Sequence, residues 1–339
     1  MTDRLVLAID GGNSKTDLAL VRADGEVLAL VRGPQSSPHH LGVDGSLEVL
    51  DELLAQALLE AGLPNGDGPA AHVGKLYLAG VDFPSEEAAM RTAASTRRLA
   101  RNIDVGNDTL AVLRAGTDSG WGVAIVCGAG INCVGVAPDG RQARFPALGW
   151  ITGDWGGGFD VGLAAVSAAA RSEDGRGPKT TLEQAVPKHF GLDTPTQLAE
   201  AFHHHEIQER RIIELAPAVV AEAAHDQTAA AIVARLAEEV VTMIGVALAR
   251  LGLTETPVEV ALGGGLMQSQ DHRLTSAVAT GLEDVAPQAT VKVTTSPPVV
   301  GAALLGLDDL DAGPEAQDRV REELATAFKT METPGRRGR

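Results

Sequence analysis

The sequence predicts an α/β protein built from two similar halves, and three observations support this. The chain has 339 residues, more than a single hydrophobic core usually holds. Short apolar runs typical of buried strands alternate with longer segments of helical periodicity. The order strand, glycine turn, strand, Asp-Gly turn begins at residue 5 and begins again at residue 122. We expect one domain over residues 1–117, a second over residues 118–310, and a charged, partly flexible segment over residues 311–339.

In the first half, apolar runs predict strands, leucines spaced three or four residues apart predict the first helix, and Ser85 is a candidate N-cap for the second. The Asp-Gly pair at residues 24–25 lies between two apolar runs and predicts a hairpin. The predicted strands cover residues 5–9, 18–21, 27–31, 76–81 and 103–105, and the predicted helices cover residues 46–61 and 86–101. In the second half, strands are predicted at residues 122–126, 132–136 and 258–262, and helices at residues 164–170, 229–251 and 299–307.

Composition excludes several classes of partner. The formal net charge is -17 and the pI is about 4.9, so the surface repels phosphate backbones and anionic lipid, which argues against nucleic acid or a membrane as the main partner. Two cysteines are too few for a disulfide framework or a structural zinc site. No leader opens the chain and no apolar run is long enough to span a membrane, so we expect a cytoplasmic protein.

The first glycine turn, residues 10–17, is the most informative stretch. Glycines let backbone N–H groups approach phosphates, hydroxyls add donors, and Asp10 can hold a hydrated Mg²⁺. The candidate nucleotide-binding residues here are Gly11, Gly12, Asn13, Ser14, Lys15 and Thr16. A P-loop is excluded because Ser14 stands where that motif needs glycine, and because the next segment predicts a hairpin rather than a helix. A plain Asp-Gly-Gly turn remains the structural alternative.

Two further glycine turns extend this pattern. The turn of Gly128, Ala129 and Gly130 repeats the first one in the second half of the chain. Two such hairpins facing each other across a cleft can grip one polyphosphate from both sides. The third turn, Gly263, Gly264 and Gly265, follows a predicted strand, where a nucleoside can lie against bare backbone. Each turn is a weak signal, but the three in this order strongly indicate nucleotide binding.

With these motifs, the chain resembles the N-acetylglucosamine kinase branch of the actin/hexokinase/Hsp70 superfamily. That branch is grouped with the BadF/BadG/BcrA/BcrD-type activating ATPases of 2-hydroxyacyl-CoA dehydratases. The resemblance covers roughly residues 4–307. It implies two actin-like (ribonuclease H-like) domains, with ATP, Mg²⁺ and substrate in a cleft between them.

The resemblance also implies roles for individual polar residues. Asp108, beside Asn107 in the family's Asn-Asp pair, is the base that takes the proton of a sugar hydroxyl. Asp154 lies in the glycine-rich loop 149–158 and binds sugar hydroxyls. The expected substrate-binding residues are Asn107, Asp108, Asn132, Gly149, Trp150, Asp154 and Gly158. The structural alternatives are a helix N-cap for Asp108 and an Asx turn for Asp154. Asp17 receives no chemical role.

Three departures from the family leave the sugar undecided. Ala129 and Ile131 replace the two hydroxyl residues of the usual Gly-Thr-Gly-Ser-Asn turn. Residues 155–157, Trp-Gly-Gly, replace the usual Glu-Gly-Ser. The early sugar loop has serines in place of asparagine, and the role of the adjacent His39 and His40 stays open.

The expected function is ATP-dependent phosphorylation of the primary hydroxyl of an amino sugar by a homodimer, with N-acetylglucosamine ahead of glucosamine. The alternatives are a kinase of another sugar or hydroxyl compound, a non-catalytic ATP-dependent sensor, and an activating ATPase with an iron–sulfur cluster. Cys127 and Cys133 flank the second turn, where a cluster would collide with phosphate, so we expect two small buried residues instead. The zinc motif of the ROK sugar kinases is absent from the sequence.

Overall fold

The computed structural model describes residues 4–269 and 272–332, which form two units. The first unit contains the described residues up to Gly120 together with those from Ser296 onward, and the second is Trp121–Thr295. The expected boundary at residue 310 therefore differs from the structure, which assigns the chain from Ser296 onward to the first unit. Residues 333–339, the basic end of the expected flexible segment, lie outside the described residues.

The secondary structure consists of strands and helices that alternate over much of the chain. The strands are β1 (Leu5–Gly11), β2 (Lys15–Arg22), β3 (Val27–Pro34), β4 (Ala71–Leu78), β5 (Ala100–Asn107), β6 (Gly122–Cys127), β7 (Ile131–Val136), β8 (Gln142–Arg144), β9 (Val258–Gly263) and β10 (Ala289–Val293). The helices are α1 (Pro38–Glu60), α2 (Pro84–Ala94), α3 (Asp108–Gly116), α4 (Gly157–Glu173), α5 (Leu182–His189), α6 (Pro195–His203), α7 (Ala216–Glu222), α8 (Gln227–Leu251), α9 (Arg273–Val285), α10 (Pro298–Asp308) and α11 (Pro314–Glu332). Short 3₁₀ helices cover Gly149–Ile151 and Glu209–Leu215.

Each unit is built on a five-stranded sheet, and the two sheets have the same topology. In the first unit the order is β3-β2-β1-β4-β5, with β1 to β3 antiparallel and with β4 and β5 parallel to β1. In the second unit the order is β8-β7-β6-β9-β10, with the same pattern of directions. The predicted α/β class and the repeat of its opening elements are confirmed.

The first unit packs helices on both faces of its sheet. Successive side chains of a strand point to opposite faces, and β1 follows this alternation. Leu7 and Ile9 join a core with α1 and α2, whereas Val6 and Ala8 join a core with α10 and α11. In the second unit, helices α4 to α9 pack in one large core with β6, β7 and β9. Within the described residues, no helix is both long and apolar enough to cross a membrane.

Helix α11 explains why the C-terminal stretch belongs to the first unit. Its apolar residues recur every fourth position and so form one stripe on a helix rich in charged residues. The stripe, which packs in the core containing Val6, consists of Ala316, Val320, Leu324 and Phe328. The many charged residues of this segment led to the prediction of a charged, partly flexible segment, but a single apolar stripe is enough to hold a helix on a sheet.

Some predicted element bounds shifted. Helix α1 begins at Pro38 rather than at residue 46, and a kink at Gly42 separates its first turn from the rest. Helix α2 ends at Ala94 rather than at residue 101, because residues 100–107 pair in parallel with β4 as a strand. Strand β4 lies at residues 71–78 instead of 76–81.

Candidate active site

Asp10 lies half-buried at the end of β1, opposite Asp17 of β2. Among the described residues, none donates a hydrogen bond to the Asp10 carboxylate or forms an ion pair with it. Burial raises the pKa of Asp10 to about 8, with further increases from the carboxylates of Asp108 and Asp17 that outweigh Lys15 and Arg32. A cation bound here would offset both the burial and the repulsion between carboxylates.

The β1–β2 turn is closed by backbone and presents polar side chains outward. The N–H of Gly12 donates to the carbonyl oxygen of Lys15 over 2.9 Å. The side chains of Asn13, Ser14 and Lys15 are exposed, and Lys15 Nζ lies 3.7 Å from the Asp17 carboxylate. This is the arrangement expected of a phosphate-binding hairpin.

Two buried residues support this turn from behind. Thr16 Oγ1 lies 2.7 Å from both the carbonyl oxygen of Pro34 and Ser36 Oγ, so the hydroxyl that was predicted to bind nucleotide faces protein. We therefore assign Thr16 a supporting role. Asp17 accepts two hydrogen bonds from Arg32, of 2.6 and 2.9 Å, and this ion pair joins β2 to β3.

Asn107 caps helix α3 and thereby fixes the direction of Asp108, its first residue. Asn107 Oδ1 accepts hydrogen bonds from the N–H (3.0 Å) and the hydroxyl (2.6 Å) of Thr109. Its side-chain amide donates to Asp82 over 2.8 Å. Asn107 is 3% exposed, and its placement beneath Asp108 makes it a positioning residue.

Asp82 was not singled out from the sequence. It follows β4, and Asn107 ends the neighbouring parallel strand β5. Polar residues that follow adjacent parallel strands meet at the same sheet edge, and that signal was available in the sequence.

Asp108 has the environment of a base. The alternative role of N-cap belongs to Asn107, so the Asp108 side chain is not needed there. Burial raises the pKa of Asp108 to about 6, while the N–H groups of Thr109 and of Asp108 itself limit the rise. Among the described residues, no cationic side chain pairs with this carboxylate. A pKa near neutrality combines an ionised form with useful basicity.

In the second unit, the β6–β7 turn is bound directly to the start of α4. The carbonyl oxygens of Gly128 and Ala129 accept hydrogen bonds from the N–H groups of Gly158 and Phe159, over 2.8 and 2.9 Å. These are N–H groups of the first helical turn, which have no partner inside the helix. The second predicted phosphate turn and the end of the predicted sugar loop therefore form one rigid piece.

Backbone packing admits only glycine at two points of this piece. Gly157 has φ +71°, and a Cβ there would lie 2.3 Å from the Gly130 carbonyl oxygen. Gly264 of the third turn has φ +88°, and a Cβ there would lie 2.3 Å from the Cys127 carbonyl oxygen. Both positions combine a left-handed conformation with a close approach of backbone. The three predicted motifs of the second unit thus meet around β6.

The loop before α4 holds Asp154 in place. The carbonyl oxygen of Gly149 accepts from the N–H groups of Thr152, Gly153 and Asp154. The Thr152 hydroxyl donates to the Asp154 carboxylate, which is half-buried. Trp150 is 90% exposed at the tip of this loop.

The remaining predicted residues are placed as follows. Asn132 Oδ1 accepts from the N–H of Cys133 over 2.7 Å. Gly263 ends β9, and the rings of His39 and His40 are exposed. Burial raises the pKa of both cysteine thiols, that of Cys127 to about 12, so both stay protonated as expected of buried residues.

An apolar pocket of about 450 Å³ opens among the three motifs of the second unit. It is lined by backbone and side chains of Gly128, Ala129, Gly158, Ile213, Ala216, Pro217, Val220, Ala221, Gly265, Leu266 and Ser269. Its size and apolar walls suit a heterocyclic base. The wall between Ile213 and Ala221 was missed because it comes from a 3₁₀ helix and the short α7, which give no clear periodicity.

The duplicated sheet topology and the paired glycine turns are those of the actin-like ATPases, the class to which this protein belongs. The chain belongs to the BadF/BadG/BcrA/BcrD ATPase family, which residues 7–306 match. Membership in this family means that the chain uses ATP.

Individual relatives are similar over most of their length. The N-acetyl-D-glucosamine kinase of Dictyostelium discoideum is 26% identical over 318 residues, 91% of this chain and 99% of that protein. The N-acetylmuramic acid/N-acetylglucosamine kinase of Clostridium acetobutylicum is 29% identical over 212 residues, 62% of this chain and 68% of that protein. A solved structure from Chromobacterium violaceum, proposed to be an N-acetylglucosamine kinase, matches with a TM-score of 0.70 and 24% identity, covering 90% of this chain and 100% of that chain. At this level of identity, the match to the solved structure shows only that the two chains share a fold.

The pKa of Asp108 generates a pH prediction. Below about pH 6 the carboxyl group is protonated and unable to accept a proton, so kcat/KM should fall about tenfold per pH unit on the acid side and level off above. The measurement is initial-rate kinetics across pH, with Asp108→Asn as control, whose residual activity should lack this acid limb. A wild-type profile that is flat from about pH 5 to about pH 8 would contradict the role.

Proposed function

We propose that this protein is an ATP-dependent kinase that phosphorylates the primary hydroxyl of an amino sugar, with N-acetylglucosamine as the first choice. The observation that carries the proposal is Asp108: a carboxylate with a pKa near 6, fixed at a helix start and lacking a cationic partner among the described residues. That is the group a hydroxyl acceptor needs, and similarity to a sugar kinase over 91% of the chain supplies the acceptor class.

The nucleotide is assigned to the glycine turns. In the first unit, we assign the exposed side chains of the β1–β2 turn, Lys15 included, to phosphate binding. In the second unit, we assign the β6–β7 turn to phosphate binding. The apolar pocket bounded by Gly128, Gly265 and Leu266 takes the base. These assignments use backbone donors and one lysine, as phosphate sites commonly do.

Magnesium fits the residues present, with Asp10 as its protein anchor. Mg²⁺ typically takes one or two carboxylates and fills its remaining positions with water and substrate phosphates. Asp10 is a carboxylate without a protein partner among the described residues, and those residues contain no cluster of three or more ligands that would cage a metal. When bound, the ion would neutralise charge on the phosphates.

The chain's own residues then perform the transfer. The sugar oxygen forms a bond to the γ-phosphorus as the bond from that phosphorus to the bridging oxygen breaks, and ADP leaves. The hydroxyl proton passes to Asp108, which Asn107 and Asp82 hold in place. Asp154, oriented by Thr152, binds ring hydroxyls. Its charge suits hydroxyl donors better than an acetamide oxygen.

The substrate ranking rests on the groups near the second turn. A free ammonium would need a carboxylate beside it, whereas an acetamide needs a neutral donor and room for a methyl group. The neutral side chain of Asn132 suits the acetamide better. Expected features that extend this proposal are a homodimer and a cytoplasmic location.

A steady-state comparison of sugars tests this function. With Mg²⁺–ATP, release of ADP should be stimulated by N-acetylglucosamine, with kcat/KM above those for glucosamine and glucose. A preference of about tenfold or more for glucosamine, equivalent to about 1.4 kcal/mol, would reverse the ranking. ADP release that no sugar stimulates would contradict the kinase assignment.

Two matched substitutions separate the roles of the carboxylates. Asp108→Asn should lower kcat by at least about a hundredfold with sugar binding retained, because a base acts only as the proton leaves. Asp154→Asn should mainly weaken sugar binding, because its hydrogen bonds form in ground and transition states alike. Kinetics and calorimetry measure both effects, and the exposed Asp44→Asn should behave as wild type. The reverse pattern would exchange the two roles, and no effect from either would refute the sugar site.

A further inference from the structure

A second cavity, of about 520 Å³, lies between α4 and α8 in the second unit. It shares no lining residue with the pocket assigned to the base. Leu163, Ser167 and Arg171 follow one another at four-residue spacing on α4 and so share a helix face. Helix α8 contributes Thr228 and Arg235 to the opposite wall.

Arg235 is held over an aromatic ring at the cavity wall. Its guanidinium carbon lies 4.0 Å from the centre of the Trp155 ring, a cation–π contact. Among the described residues, Arg235 has no ion-pair partner, so this contact orients the guanidinium while its N–H donors remain available. A planar guanidinium held in this way is suited to bind an oxyanion through two hydrogen bonds.

Arg171 adds a second positive charge to the same cavity. Its Nη2 donates to the carbonyl oxygen of Arg176 over 2.9 Å, and the nearby carboxylate on which its charge acts, Asp174, is already paired with Arg176. Asp160 is the one carboxylate in the lining, and it accepts the N–H of Gly156 over 3.0 Å. The lining is therefore net positive in a chain whose formal net charge is -17.

The rest of the lining is suited to a small molecule that has both hydroxyl groups and apolar carbon atoms. Hydroxyls of Ser167 and Thr228 offer hydrogen bonds, and Leu163 and Ile232 offer apolar surface. Two guanidinium groups match the several acceptor oxygens of a phosphate ester, and the volume lies within the range of small-ligand sites. We propose that this cavity binds a sugar phosphate, the chemical class of the product of the proposed reaction.

The site also adjoins the predicted sugar loop. Trp155 follows Asp154 directly, and Gly156 is bound to the cavity wall through Asp160. A ligand that contacts Arg235 or Asp160 therefore acts on the segment that positions Asp154. We infer that a sugar phosphate bound in this cavity changes the KM for the sugar, and this step rests on the proposed function.

Calorimetry on the whole protein without ATP or Mg²⁺ tests the binding. The probes are N-acetylglucosamine 6-phosphate, glucose 6-phosphate, inorganic phosphate and uncharged N-acetylglucosamine. We expect the sugar phosphates to bind, and the double variant Arg171→Gln/Arg235→Gln to weaken that binding by about tenfold or more. Arg141→Gln, which removes an exposed arginine of the same unit outside the cavity, should bind as wild type. Arg235→Lys keeps the positive charge but loses the planar pair of N–H donors, so this variant should bind the sugar phosphates more weakly than wild type.

Several results would overturn the inference. Binding unchanged in the double variant would place the sugar phosphate elsewhere, and no binding of any phosphate would remove the site. Inorganic phosphate binding as tightly as the sugar phosphates would refute the ligand class. Light scattering would show whether the double variant changes its oligomeric state. Such a change would mean that the two arginines form a contact between protein copies instead of a ligand site.

Kinetics separates this inference from the proposed function. Without added sugar phosphate, the double variant should retain wild-type kcat, because neither arginine belongs to the proposed catalytic machinery. Added sugar phosphate should change the apparent KM for sugar in wild type by more than in the double variant, and equal changes would refute the coupling. Failure of sugar turnover in every variant would refute the kinase while leaving the calorimetric result standing.

Discussion

The candidate site depends on one constraint: at the glycine turns of the second unit, backbone packs directly against backbone. Gly157 lies against the Gly130 carbonyl, and Gly264 lies against the Cys127 carbonyl. Any side chain at either glycine would separate the turns. This contact fixes where α4 begins, which in turn fixes the Asp154 loop and one edge of the base pocket. Rigid placement of backbone donors is what a polyphosphate site requires.

The first unit contributes carboxylates in environments that oppose their ionisation. The pKa of Asp10 is raised to about 8 and that of Asp108 to about 6, in each case mainly by burial. Such groups destabilise the unliganded fold at neutral pH, and they are typical of sites where a cation or a proton is to be bound. Asn107 and Asp82 hold one of these carboxylates, whereas the ion pair of Asp17 with Arg32 stabilises the turn beside the other.

Local patterns allowed much of the fold to be predicted, and contacts distant in sequence account for what was missed. Glycine turns between apolar runs led to both sheets and to three loops of the candidate site. The base-pocket wall at Ile213 and Pro217 was missed because a 3₁₀ helix and a seven-residue helix are too short to show a clear apolar period. The side-chain direction of Thr16 depends on its contact with Ser36, which spacing does not predict. The contact of Asn107 with Asp82 was missed although both residues follow adjacent predicted strands. The charge of α11 concealed its apolar stripe.

The most direct test of the account is identification of the phosphorylated product by ³¹P nuclear magnetic resonance. The protein would be incubated with ATP, Mg²⁺ and N-acetylglucosamine, and the phosphorus signals followed with time. We expect one sugar phosphate per ADP, with its phosphorus coupled to the two protons of the sugar's primary carbon. ADP that accumulates with inorganic phosphate alone, or a phosphorus coupled to a single ring proton, would contradict transfer to the primary hydroxyl.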